Sequence, residues 1–173
     1  MKVNIKLTVF MAIVLAMLPI TAISRDVIGI NRYMTYDQIK EVFDYRFNGG
    51  TSSYQEGRKH LIYTDVNFAG EPFSMMIAGF TNGHIDKACF FYICTTPEAA
   101  KRKREMINLR FNSEYGDCKS QIEGNGFKKY YYFTYDGEPI DYAVEISIKK
   151  YNGNYECVLM YDFSDYETDT DGI

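Results

Sequence analysis

Ile140-Asp141-Tyr142-Ala143-Val144-Glu145-Ile146-Ser147-Ile148-Lys149 alternates between two kinds of side chain over ten residues. Ile140, Tyr142, Val144, Ile146 and Ile148 share one parity, and Asp141, Ala143, Glu145, Ser147 and Lys149 the other. Successive side chains of a strand point to opposite faces of its sheet, so one face is predicted buried and the other wet. That is the habit of an antiparallel sheet.

Similar runs at 127–135 and 154–163 flank this strand, and an earlier trio reads at 59–68, 72–81 and 84–94. Asn82-Gly83 separates two of the runs and predicts a two-residue hairpin, because a type I′ turn needs positive φ at both positions. Each trio follows a helix. Thr35 and Gln38 form a capping box with Met34 as a staple onto Ile39, and Ile39, Val42, Phe43 and Phe47 share one face up to Asn48-Gly49-Gly50. Thr96-Pro97-Glu98 opens the second helix, with a Thr cap and Pro at the first turn. Ala100, Ile107 and Phe111, with Ala99 and Met106 beside them, give it an apolar stripe to about Ser113.

The pattern of helix and three strands therefore occurs twice. Arg46-Phe47-Asn48 matches Arg110-Phe111-Asn112 at an offset of 64, Gly70-Glu71-Pro72 matches Gly137-Glu138-Pro139 at 67, and Asn82-Gly83 matches Asn152-Gly153 at 70. The offsets grow in order, as small insertions would make them. The expected architecture is α+β: two αβββ repeats, about 25–94 and 95–163, joined edge to edge in an antiparallel sheet of about six strands with both helices on one face. Residues 164–173 read as an acidic flexible tail.

The phrase Gly29-Ile30-Asn31-Arg32-Tyr33-Met34-Thr35 before the first helix resembles the glycine-x-x-x-glycine-Met-Thr phrase of the β-lactamase-inhibitor-protein-like (BLIP-like) group, to which small outer-membrane assembly lipoproteins also belong. Gly29, Met34 and Thr35 fit it, while Tyr33 stands where the second glycine would be. The resemblance implies protein binding by a concave sheet face, without catalysis.

The start of the chain gives a compartment. A basic opening with Lys2 and Lys6, a 14-residue apolar run from Leu7 to Ile20, and the small residues Ala22 and Ser24 make residues 1–24 a secretory signal peptide, cleaved after Ser24. A run of 14 is shorter than the ~20 residues a membrane-crossing helix needs. No Cys lies near the cut, so lipid attachment there is not expected. Cleavage removes two lysines and leaves 17 basic against 23 acidic residues, a net charge of −6, which argues against a nucleic-acid partner. The basic run Lys101-Arg102-Lys103-Arg104 is expected to be solvated helix surface.

Four cysteines in an oxidising compartment allow up to two disulfides in any of three connectivities. Cys94 and Cys118 flank the second helix and are the expected pair; Cys89 and Cys157 fall on the apolar parity of their strands, where a buried thiol is as fitting as a bridge. No zinc spacing, nucleophile elbow, phosphate loop or dinucleotide fingerprint is present, and His60 and His84 stand alone. The acids of Glu167-Thr168-Asp169-Thr170-Asp171-Gly172 alternate like the start of a calcium loop whose closing Glu is missing. No catalytic residue, metal or cofactor is assigned.

Taking Phe127, Tyr131 and Phe133 as core places Tyr130 and Tyr132 on the open sheet face, with Tyr92 and Met76 at the corresponding parity of the first half. Exposed Tyr and Met are enriched at binding patches. The sequence thus reads as a secreted or periplasmic, non-enzymatic module that holds a protein partner of the cell envelope on its open face. The alternative is a glycan or small-molecule binder, or a hydrolase, on the same sheet with carboxylates such as Asp141 and Glu145.

Overall fold

A computed structural model describes residues 28–55, 58–116, 118–135 and 137–164. The expected signal peptide, the tail beyond Ser164 and its calcium-loop-like acids lie outside the described residues.

Two helices and eight strands follow one another as α1 (Tyr36–Phe47), β1 (Thr51–Gln55), β2 (Arg58–Phe68), β3 (Glu71–Thr81), β4 (His84–Cys94), α2 (Pro97–Tyr115), β5 (Lys119–Ile122), β6 (Lys128–Tyr135), β7 (Glu138–Tyr151) and β8 (Asn154–Asp162). The strands make one antiparallel sheet in the order β1-β2-β3-β4-β8-β7-β6-β5. Two of them exceed the expected six. β1 and β5 read Thr-Ser-Ser-Tyr-Gln and Lys-Ser-Gln-Ile, polar and too short to alternate, and they sit at the sheet edges, where charged and polar side chains discourage pairing with other chains.

The helix ends follow local chemistry. Thr35 and Gln38 form the reciprocal capping box of α1, and Asn48 closes it in the left-handed conformation at φ 57°. Gly50 then passes so close to Tyr63 that an added Cβ would lie 2.5 Å from the ring. Thr96 accepts from Ala99 N–H at the start of α2, which runs to Tyr115, two residues past the expected end. Asn82-Gly83 and Asn152-Gly153 both take positive φ at both positions, giving the expected type I′ geometry to the β3–β4 turn and the same geometry to β7–β8.

Both helices cover the same sheet face. Phe47 of α1 packs on Tyr63, Phe68 and Phe90, and Phe111 and Tyr115 of α2 pack on Tyr132. Leu61, Met76, Ala78, Phe90, Leu159, Tyr161, Val144 and Ile146 complete this core. The basic run on α2 is only half solvated: Lys101 and Arg102 are exposed, but Lys103 and Arg104 are buried. Positions 103 and 104 fall in the Ala100–Ile107–Phe111 stripe, one turn from each neighbour. Lys103 Nζ bonds Glu71 Oε2 at 2.7 Å over the Phe73 and Tyr92 rings, and Arg104 Nη1 donates to the Lys128 carbonyl at 2.6 Å.

Candidate functional site: the uncovered sheet face

The four residues expected on the open face lie on the other side. Met76 (0% exposed), Tyr130 (5%) and Tyr132 (1%) are buried beneath the helices, and Tyr92 packs against the same core with Lys103 over its ring. Register decides this. Tyr130 stands opposite Ile146 and Tyr132 opposite Val144, so each joins the apolar parity of β7. Tyr131, expected in the core, stands opposite Glu145 on the uncovered face, stacked with Phe133 at 6.2 Å between ring centroids. Phe133 is exposed.

The uncovered face is built from cross-strand rows. One row runs Ile62, Ile77, Cys89, Met160, Glu145, Tyr131, and the next runs Thr64, Met75, Phe91, Val158, Ser147. Ile62, Ile77, Cys89, Met160, Met75 and Phe91 are half-buried, and Ile93 beyond them is exposed. No described helix lies over them. The middle of the β2–β4 half of this face is therefore apolar, with His60 and Lys87 toward one end, while β6–β8 carries most of the ions.

Those ions also revise the expectation of a wet face on β7. Ala143, Glu145 and Ser147 are buried as well as their apolar neighbours, because long side chains from adjacent strands close over them. Lys129 Nζ bonds Glu145 at 3.1 Å and Glu123 at 2.9 Å, and Ser147 Oγ donates to Glu145 at 2.9 Å. Burial would lower the Lys129 ammonium, but its bonds to Glu123, Tyr131 and Glu145 raise it. Lys87 bonds Asp162 at 2.8 Å.

Where the apolar rows meet the β7–β8 turn, a shallow groove of about 480 Å³ opens. Met75, Ile77, Phe91 and Ile93 form its floor, and Tyr151, Asn152, Asn154 and Glu156 its rim. Such a mixture of apolar floor and few polar groups is the usual composition of a ligand or peptide site.

No protein-family model, curated protein or solved structure matches this chain.

The remaining candidates separate in space. Asp141 and Glu145 are four residues apart along β7, about 13 Å at strand rise, beyond the separations of roughly 5–10 Å that glycosidase carboxylates use. Glu138 and Asp141 fall on opposite parities. Asp141 instead borders a second open depression of about 300 Å³ with Tyr135, Pro139, Ile140 and Tyr142. His84 is exposed at the β3–β4 turn, whereas His60 is half-buried on the uncovered face over Gly79, with Nδ1 buried and without a hydrogen bond. Among the described residues no three His, Cys, Asp or Glu side chains converge as a metal site, and no helix is long and apolar enough to cross a membrane.

The four cysteines are free thiols, so the expected Cys94–Cys118 bridge is absent. Cys94 Sγ lies 3.4 Å from the Thr96 carbonyl at the start of α2, and Cys118 Sγ lies 3.7 Å from Asn108 Oδ1. Thr96 and Asn108 are separated by about 18 Å of helix rise, far beyond disulfide reach. Burial pushes the Cys89 thiol up to about 11 and the Cys157 thiol up to about 12.

The groove residues that the sequence reading missed did carry a signal. Met75 and Ile77 alternate with Met76 and Ala78 in β3, so either parity could have been chosen as core on hydrophobicity alone.

Proposed function

We propose that this protein is a secreted or periplasmic binding module, without catalysis of its own, that docks a protein of the cell envelope on its uncovered sheet face. The observation that carries the reading is the apolar row Ile62–Ile77–Cys89–Met160 with Met75 and Phe91 beside it, half-buried on a face that no described helix covers. Contiguous apolar surface of this kind marks interaction sites. Methionines at its centre suit a surface that adapts to its partner. The reading keeps the open-face idea of the sequence but transfers it from Tyr130, Tyr132, Tyr92 and Met76 to the opposite parity.

Two further points support it. The order of one helix then four strands occurs twice, with β1–β4 and β5–β8 laid outward from the β4–β8 seam, which favours a duplication of an αββββ unit; the matched Gly70-Glu71-Pro72 and Gly137-Glu138-Pro139 fall at the β2–β3 and β6–β7 turns. The likeness of Gly29, Met34 and Thr35 to the BLIP-like phrase points to the same kind of role.

The test is affinity capture from envelope extract with residues 25–173, beside Ile77→Asp and Tyr132→Phe variants whose melts show that they fold. A partner that rebinds after purification, survives Tyr132→Phe and is lost with Ile77→Asp supports the reading. Capture that Ile77→Asp leaves unchanged rejects it. Glycan or small-molecule binding is the second reading, favoured by Asn152, Asn154 and Tyr151 around the groove; stabilisation by saccharides without protein capture would select it.

A further inference from the structure

The acids of the uncovered face are not alike. Glu145 holds Lys129, and Asp162 holds Lys87. Glu156, half-buried at the rim of the groove, makes no ion pair with any described residue. It stands opposite Ile93 on β4 and opposite Lys149 on β7, and Lys149 is exposed and beyond ion-pair distance. An apolar floor thus ends at a carboxylate that forms no ion pair with the described residues, with Lys149 across the strand pair as a competing cation.

We infer that the groove receives a linear peptide segment of the partner in which an aliphatic or aromatic side chain is closely followed by lysine or arginine. This rests on the docking reading above and names the chemistry it recognises. The apolar side chain lies on Met75, Phe91 and Ile93, where water leaves both surfaces. The cation meets Glu156 at the edge of that dry contact, where low dielectric strengthens the pair relative to open water. The polar groups of the groove are confined to the β7–β8 side, so they suit one charged or polar group beside an apolar anchor better than hydroxyls distributed around a sugar ring.

Fluorescence anisotropy with the chain 25–173 tests this with three labelled probes: Gly-Phe-Lys-Leu-Lys-Gly, its Phe-Glu-Leu-Glu counterpart, and a version with Gly for Phe and Leu. Only the first is expected to bind, more weakly as salt rises. Glu156→Gln should weaken it by about twofold to fivefold, and Lys149→Ala should tighten it by removing a competing cation. Equal binding of the basic and acidic peptides, or no loss with Glu156→Gln, overturns the inference; so does failure of the first peptide to bind at all. In each case the docking reading falls only if Ile77→Asp also leaves partner capture unchanged. Competition by chitobiose but not by peptide, or a dimer in sedimentation that Ile77→Asp dissociates, overturns it in favour of a glycan or a second copy.

Discussion

Tyr132 Oη donates to Asn108 Oδ1 across 2.7 Å, fastening β6 to the underside of α2. Asn112 Oδ1 lies 2.9 Å from the same hydroxyl, and Cys118 Sγ approaches Asn108 as well. The cluster is buried and polar on an otherwise aromatic seam. Tyr132→Phe leaves those acceptors without their donor and is expected to cost about 1–3 kcal/mol in urea unfolding. Tyr131→Phe, on the uncovered face, removes a half-buried hydroxyl that accepts from Gln121 Nε2 at 3.0 Å and bonds Lys129, and should cost about 0.5–1.5 kcal/mol.

Neighbouring methionines separate the two faces. Met76→Ala empties a site beneath the helices and should destabilise by about 2–5 kcal/mol, whereas Met75→Ala in the groove floor should cost about 1 kcal/mol or less. Denaturant midpoints of the two variants check the assignment, and a reversal of their order would place the helices on the wrong side.

Asp162 links stability to acid. Burial pushes its carboxyl up, but Lys87 and the hydrogen bonds from Ser164 outweigh that and hold it below 3.8. A carboxyl lowered in the folded state contributes stability above its unfolded value, and this is lost as pH falls through the folded one. Urea midpoints should therefore decline from about pH 4 downward, and Asp162→Asn should flatten that decline while lowering stability at neutral pH. An unchanged slope in the variant would show that the Lys87 pair contributes nothing.

The thiols give a chemical check. With Cys157 pushed up to about 12 and Cys89 to about 11 by burial, both should react slowly with iodoacetamide near pH 8 in the native state, since the thiolate is the nucleophile. Unfolding without reductant should expose all four cysteines to N-ethylmaleimide, read as four adducts by intact mass. Two adducts would mean that a bridge forms after all.

Much of this was legible in the residues. The alternation of β7, the Asn-Gly turns and the caps at Thr35 and Thr96 are local signals, and local chemistry decides them. The faces were harder to read. Tyr130-Tyr131-Tyr132 is apolar on both parities, so its orientation comes from pairing with Val144 and Ile146, a long-range fact that only register supplies. Lys103 and Arg104 lay on the apolar stripe of their helix by spacing, but charge argued for solvent; Glu71 and the Lys128 carbonyl, distant in sequence, reverse that argument. β1 and β5 exist because a sheet edge offers backbone partners, not because their side chains demand burial.

The β4–β8 seam at the middle of the sheet has a consequence for how the protein is made. Cys94 pairs with Tyr155 and Lys87 with Asp162, so β8, the last of the described strands to be made, completes the centre rather than the margin. Until it arrives, β4 presents a bare edge carrying Phe91 and Ile93, the kind of surface that recruits other chains. A nascent or truncated chain ending before Asn154 therefore keeps that edge open until the β7–β8 hairpin can form.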